Sequence, residues 1–232
     1  MTELQAINES YLAAAAADPK RLAEEFDAIT EYMKASTAIH HGEYVRTCYM
    51  PKLFTEKIFA GFSADIQTLY GILAKVMRAY YRDPAYRKLF GFDRTTEELI
   101  LRADPSVSLL PMARIDFFYN EQTGAYKYCE FNTDGTSAMN EDRELNKAQE
   151  LSTAYREFRA AHSTRTCELF NSWVKTLCEV YHRARHTQQT PYVAIVDFMD
   201  CGTVNEFEVF QGYFVQNGVP AEVCDLRSLR YD

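Results

Sequence analysis

Apolar residues recur at helical spacing through the first hundred positions. In EKIFAGFSADIQTLYGILAKVMRAYYRD, Phe59, Phe62, Ile66, Leu69, Leu73, Val76, Met77 and Tyr80 follow one another mostly at steps of three and four, which predicts a long amphipathic helix. Asp83-Pro84 punctuates it, and PAYRKLFGF reads as a shorter helical piece. In TTEELIL, Thr95 followed three residues later by Glu98 has the form of a capping box. The opening stretch MTELQAINESYLAAAAADPK has an acidic lead-in and no extended apolar core, so it reads as a helix and not as a signal peptide. Residues 1–101 are therefore expected to be almost entirely helical.

The pattern changes at Pro111. ARIDFFY and AYKYCEFN alternate with a period of two around a Gly-containing turn, which predicts a β-hairpin. From Asn140 to His186 the chain has neither Pro nor Gly, and one long bent helix or two are expected. After TQQTP, the apolar run YVAIVDF reads as a strand buried on both faces. TVNEFEVFQGYFVQNG reads as a helix stopped at Asn-Gly, and PAEVCDL as a second strand, so the end of the chain is a βαβ unit with a right-handed crossover. The fold class expected is α+β. Its parts are a helical region over 1–110, the hairpin and its loop over 111–139, a helical segment over 140–190 and the βαβ unit over 191–232. A βαβ unit with nothing after its second strand suggests a larger protein that continues beyond residue 232.

The hairpin distributes its chemistry unevenly. Alternation puts Arg114 and Asp116 on one face of the first strand, opposite Ile115, Phe117 and Tyr119. On the second strand Tyr128, Glu130 and Asn132 share a face, with Cys129 and Phe131 on the other. A register pairing 114 or 116 with 130 brings the polar sets together, and a one-residue slip separates them. Ile115, Phe117, Cys129 and Phe131 would then cover the core. Asp, Glu and Asn supply hard oxygen ligands of the kind Mg²⁺ takes, and a neighbouring Arg suits a transferring phosphate. An ordinary solvent-facing hairpin carrying an Arg–Glu cross-strand pair is the simpler alternative. The following loop, TDGTSAMNEDRELN, adds the hydroxyls of Thr133, Thr136 and Ser137 beside this face.

Composition narrows the classes of partner. The chain has 232 residues, 47% of them hydrophobic and 14% aromatic, enough for a buried core. A net charge of −8 argues against a nucleic-acid partner, while bound Mg²⁺ would still admit a phosphorylated ligand. Six cysteines without regular spacing read as free thiols of a reducing cytosol, and no apolar run reaches the length of a membrane span, so a soluble cytoplasmic protein is expected. Weaker candidates are a metal at His182 and His186, four apart on a helix, and a solvated His40-His41 pair near Gly42. Cys201 before a helix start is a possible thiolate, and the turn DFMDCGTVNEF an anion site opposed by Asp200.

The run P-x-A-R-I-D-F…K-Y-C-E-F-N-T-D-G-T-S resembles a segment of glutathionylspermidine synthase-like proteins, which are circularly permuted ATP-grasp carboxylate–amine ligases. The tail from Tyr192 onward is similar to that family's small pre-ATP-grasp domain, and the resemblance covers roughly residues 50–232. It implies that Asp116, Glu130 and Asn132 are Mg²⁺ ligands, that Arg114 contacts the transferred phosphate, and that Thr136 and Ser137 belong to a substrate loop. It further implies ATP as co-substrate, a small-molecule or peptide carboxylate and an amine as partners, and ATP-clamping lysines beyond residue 232, without which this chain alone is inactive. The loop lacks the Pro that the family often has after the position of Asp134. Two other readings stay open: a helical interaction module in which the hairpin is structural, and a hydrolase using Asp116 and Glu130 without nucleotide.

Overall fold

The computed structural model describes residues 2–40, 42–133 and 137–230. Helix α1 (Glu3–Ala16) opens with a capping box in which the Thr2 hydroxyl accepts from Gln5 N and the Gln5 side chain accepts from Thr2 N. Helix α2 (Pro19–Ala35) follows, with Asp18 as its cap and Pro at its first position, where the missing N–H costs nothing. Strands β1 (Ile39–His40) and β2 (Glu43–Tyr44) form a small antiparallel ladder before the long helix α3 (Glu56–Arg82). Asp83-Pro84 ends α3 as the pattern predicts, and α4 (Pro84–Arg87) and α5 (Arg94–Arg102) complete the first part of the chain.

Two local expectations are corrected here. The capping box at Thr95 and Glu98 does not form: Asp93 caps α5 by accepting from Thr96 N at 3.0 Å, and Glu98 pairs with Arg94 at 2.7 Å. The long helix after the hairpin is three helices, α6 (Met139–Gln149), α7 (Thr153–Ala161) and α8 (Phe170–Arg185). Side-chain caps make the breaks. Ser152 Oγ accepts from Tyr155 N at 3.1 Å to start α7, and the Glu168 carboxylate accepts from Asn171 N and Ser172 N at 2.9 and 3.1 Å to start α8. Hydroxyl and carboxylate side chains thus break a helical run without any Pro or Gly.

Helices distant in sequence share cores. Tyr11 and Ala15 of α1 pack with Ala154 and Tyr155 of α7, and Ile29 and Met33 of α2 pack with Ala148 of α6. Two carboxylates between them are paired: Glu25 accepts from Tyr49 Oη at 2.6 Å and from Thr153 N at 3.0 Å, and Glu144 accepts from Tyr32 Oη at 2.6 Å.

The end of the chain is the expected βαβ unit. Strand β5 (Val193–Asp197) pairs in parallel with β6 (Ala221–Asp225), Val193 opposite Ala221 and Asp197 opposite Asp225, and α9 (Val204–Gln216) connects them. Helix α9 stops at Asn217, with Gly218 at φ +75°, a backbone conformation glycine takes without penalty. β5 is covered on one face only. Val193 is buried against Val174, Phe214 and Val219, while Ala194 and Val196 are exposed, because α8 and α9 pack on the Val193–Ile195 side. Met139, Phe170 and Phe210 then tie α6 to α8 and α9. Among the described residues, no helix is long and apolar enough to cross a membrane.

Candidate functional site

The hairpin is β3 (Arg114–Tyr119) paired antiparallel with β4 (Tyr126–Asn132). Its turn is held from within: Asn120 Oδ1 accepts from Gln122 N and Thr123 N, Gly124 N donates to Asn120 O at 2.8 Å, and Gly124 sits at φ +70°. At its base Arg114 stands opposite Asn132 and Asp116 opposite Glu130, the register that gathers the polar residues on one face. Beyond Asp116 the register shifts, so that Phe117 faces Tyr128 and Cys129 is the extra residue of a bulge.

The bulge corrects the expected faces. Tyr128 leaves the Glu130–Asn132 side and joins Phe117 and Tyr126, with ring centroids 6.3 and 5.8 Å away. This aromatic side docks on α3 through Phe62, whose ring lies 4.9 Å from Phe117, 5.6 Å from Tyr119 and 5.1 Å from Tyr126. Phe131 and Cys129, expected to cover the core, are exposed, because α3 reaches the outer half of the hairpin and not its base.

On the opposite face Arg114 organises the polar residues. Its Nε donates to Asp116 Oδ1 at 3.0 Å and its Nη2 to Asp116 Oδ2 at 3.4 Å, while Nη1 donates to Ser137 O and Oγ, both at 3.1 Å. The Asn132 amide satisfies both neighbours when its nitrogen faces Glu130 Oε1 at 3.1 Å and its oxygen accepts from Arg114 Nη2 at 3.0 Å. Arg114, Asp116, Glu130, Asn132 and Ser137 are thus one connected network. Arg114 and Asp116 are each about one-third exposed, at 34% and 37%. Thr136 and Asp134 lie outside the described residues.

Among the described residues no three His, Cys, Asp or Glu side chains stand together as a metal-binding group; the oxygen donors gathered on this face are the Asp116 and Glu130 carboxylates and the Asn132 amide. That donor set is chemically suited to a hard divalent ion. The Asp116 and Asn132 oxygens now accept from Arg114, which supplies the positive charge that an ion would supply.

Beyond Ser137 the chain turns through Ala138 at φ +75°, an unusual backbone conformation for a residue other than glycine. Helix α6 has no cap of its own. Glu206 of α9, 5% exposed, provides one by accepting from Asn140 N at 3.3 Å. Burial pushes the Glu206 carboxyl above its ordinary range, Glu141 adds to this, and Arg114 opposes it. Glu206 lies four and eight residues before Phe210 and Phe214, on the buried face of α9. That spacing was the signal in the sequence for a carboxylate among core aromatics, and reading the helix only for its length passes over it.

Two cavities meet at this junction. One of about 560 Å³ runs along β5 from Val193 to Asp197, with Ser137, Thr203 and Glu206 among its polar border and Met112 and Trp173 on the wall it shares with the second. The other, of about 410 Å³, is bordered by Arg114, Met112, Met139, Leu169 and Trp173. Comparison with protein-family models returns no match, and neither does comparison with curated proteins.

The weaker candidates find other places. His182 Nε2 contacts Gln189 O at 3.2 Å, and His186 ends α8 at φ +48°. Cys201 is exposed on the β5–α9 turn, and Asp200 pairs with Arg227, which also binds Asp225 at 2.6 Å. That contact holds the Asp225 carboxyl well below the usual carboxylate range. A Cβ at Gly202 would lie 2.7 Å from the Phe207 ring, so any larger residue there would need that ring to move.

Proposed function

We propose that the hairpin is the metal- and phosphate-facing part of an ATP- and Mg²⁺-dependent carboxylate–amine ligase of the glutathionylspermidine synthase-like, permuted ATP-grasp type. The observation that carries this reading is the register. Arg114 opposite Asn132 and Asp116 opposite Glu130 gather one cation and three oxygen-bearing side chains on one exposed face. A purely structural salt bridge would need only one acid and one base. Mg²⁺ at Asp116, Glu130 and Asn132 would neutralise nucleotide phosphates against two carboxylates that otherwise repel them.

In this reading a carboxylate oxygen of the acid attacks the γ-phosphorus of ATP. The new O–P bond forms as the bond to the ADP oxygen breaks. Arg114, freed from Asp116, donates to the equatorial oxygens of the transferring phosphoryl group, where charge develops. The amine nitrogen then attacks the carbonyl carbon, phosphate leaves with the bonding pair, and the nitrogen loses a proton to give the amide. The 560 Å³ cavity, with Asp197 and Glu206 on its border, suits a cationic amine.

The test is isothermal titration of Mg²⁺–ATP into the longest natural form of the protein, wild type against Glu130→Ala. Metal-dependent binding weakened about tenfold or more by the substitution is expected. Absence of binding in a folded protein, or binding indifferent to Glu130 and to Mg²⁺, leaves the hairpin as structure. It would then favour an interaction module, for which the exposed Ile72, Leu89 and Leu99 on α3 to α5 offer an apolar surface.

A further inference from the structure

The Arg114 guanidinium works in two directions. Nε and Nη2 are occupied by Asp116 and Asn132, and Nη1 reaches the backbone and hydroxyl oxygens of Ser137. Both Arg114 and Ser137 border the cavity of about 410 Å³, a size that accommodates a small organic ligand. Its walls are apolar, from Pro111 and Met112 on one side to Met139, Leu169 and Trp173 on the other. Two hydroxyls on α8 also border it, but both already donate within the helix. Ser172 Oγ donates to Glu168 O and Leu169 O at 3.1 and 2.9 Å, and Thr176 Oγ1 donates to Ser172 O at 2.9 Å. The wall therefore adds acceptors and hydrocarbon, and among the described residues Arg114 is the one cation bordering it.

A ligand suited to this lining carries one negative group toward Arg114 and an apolar body against Met112, Met139 and Trp173. A polar peptide body would leave its own amide donors and acceptors poorly matched there. A dianion would meet Asp116 and Glu130 immediately behind the guanidinium. We infer that this cavity holds the apolar body of the acid substrate, a monocarboxylic acid with an aromatic or branched aliphatic tail, its carboxylate directed to Arg114. The inference rests on the ligase reading for its chemical purpose. It puts the carboxylate beside the arginine that would receive the transferring phosphoryl group, with the amine arriving from the neighbouring cavity, which has Asp197 and Glu206 on its border.

Trp173 is the only tryptophan in the chain and borders both cavities, so its emission reports on their shared wall, and a substitution at Thr176, which borders only the smaller cavity, assigns the change. The experiment is a fluorescence titration of the protein in Mg²⁺ buffer with 3-phenylpropionate, acetate and the uncharged 3-phenylpropanamide. Saturable change is expected with 3-phenylpropionate, at least about tenfold tighter than with acetate, because only the former buries a hydrocarbon body. The amide is expected to bind at least about tenfold more weakly than the acid, because it cannot use the charge on Arg114. Arg114→Gln should weaken the acid without altering the amide, and Thr176→Phe should block both by filling the cavity. Circular dichroism establishes folding, and Ser172→Phe, at a residue that borders only this cavity, serves as the wall variant should Thr176→Phe not fold. Equal affinity for acetate and 3-phenylpropionate, equal affinity for acid and amide, or an unmoved Trp173 emission overturns the inference. Mg²⁺–ATP titration of the same samples separates the two ideas. Nucleotide binding without acid binding sinks only the cavity assignment, and acid binding without nucleotide binding sinks only the ligase.

Discussion

Replacing Arg114 by Ala removes the one group that holds the polar face together. The side chain makes bonds of 3.0 and 3.4 Å to Asp116, 3.1 Å twice to Ser137, and 3.0 Å to Asn132. At about one-third exposure each charge-assisted bond is screened, and the set together contributes about 2 kcal/mol. Its loss also leaves Asp116 and Glu130 directly opposite each other as like charges, a further cost of about 0.5–1 kcal/mol. Arg114→Ala should therefore destabilise the protein by about 2–3 kcal/mol, a drop in Tm of roughly 5–10 °C for a chain of this size. Mg²⁺ should reverse much of that loss, since the variant frees the Asp116 and Asn132 oxygens that Arg114 otherwise engages. Thermal unfolding with and without about 10 mM MgCl₂ is the assay, the ion stabilising whichever form binds it in the native state. The expected result is a rise in Tm at least about twice as large for the variant as for the wild type. A loss below about 0.5 kcal/mol, or an equal Mg²⁺ response in both proteins, refutes the reasoning.

Two further outcomes follow from the packing around the site. Glu206 is buried, and burial holds its folded-state carboxyl above the ordinary glutamate value of 4.5, so the native state holds the proton more tightly than the unfolded chain. Its contribution to stability is present below pH 4.5 and is lost as the pH rises through the folded-state value; Glu206→Gln should be more stable than wild type at pH 8, the difference vanishing below pH 4.5 in denaturant titrations. Phe62→Ala should cost about 2–4 kcal/mol by removing the ring that touches Phe117, Tyr119 and Tyr126, and hydrogen exchange should show the hairpin amides losing protection before those of α8 and α9.

Periodicity made much of this architecture legible, because burial of one face is what periodicity records. Helix α3, both hairpin strands and the βαβ unit all stand where their patterns put them. Parity limited the polar sets to a register with 114 or 116 opposite 130, and the structure takes the second, which brings Arg114, Asp116, Glu130 and Asn132 together. What escaped the sequence depends on atoms that periodicity does not encode. Ser152 and Glu168 divide the second helical run by bonding to backbone N–H groups. Asp93 outcompetes Thr95 for the start of α5. Covering β5 on both faces needs a second layer, and α8 and α9 provide only one. The carboxylate of Glu206 was visible as a letter but not as a cap for another helix, since its partner Asn140 is 66 positions away.

The single extra residue at Cys129 divides the hairpin into two segments of opposite phase. Insertions or deletions in the Asn120–Ala125 turn change parity for the outer aromatic half, but the base pairs 114–132 and 116–130 are fixed by the chain on their own side of the bulge. The outer segment can thus be remodelled, lengthened or fitted to a different helix without altering the order of the chemical groups below it. Deleting Cys129 would have the opposite consequence. It would join the two segments into one frame, forcing either Tyr128 or the Glu130–Asn132 pair to change faces. A residue whose side chain is exposed would then prove the hardest in the strand to remove.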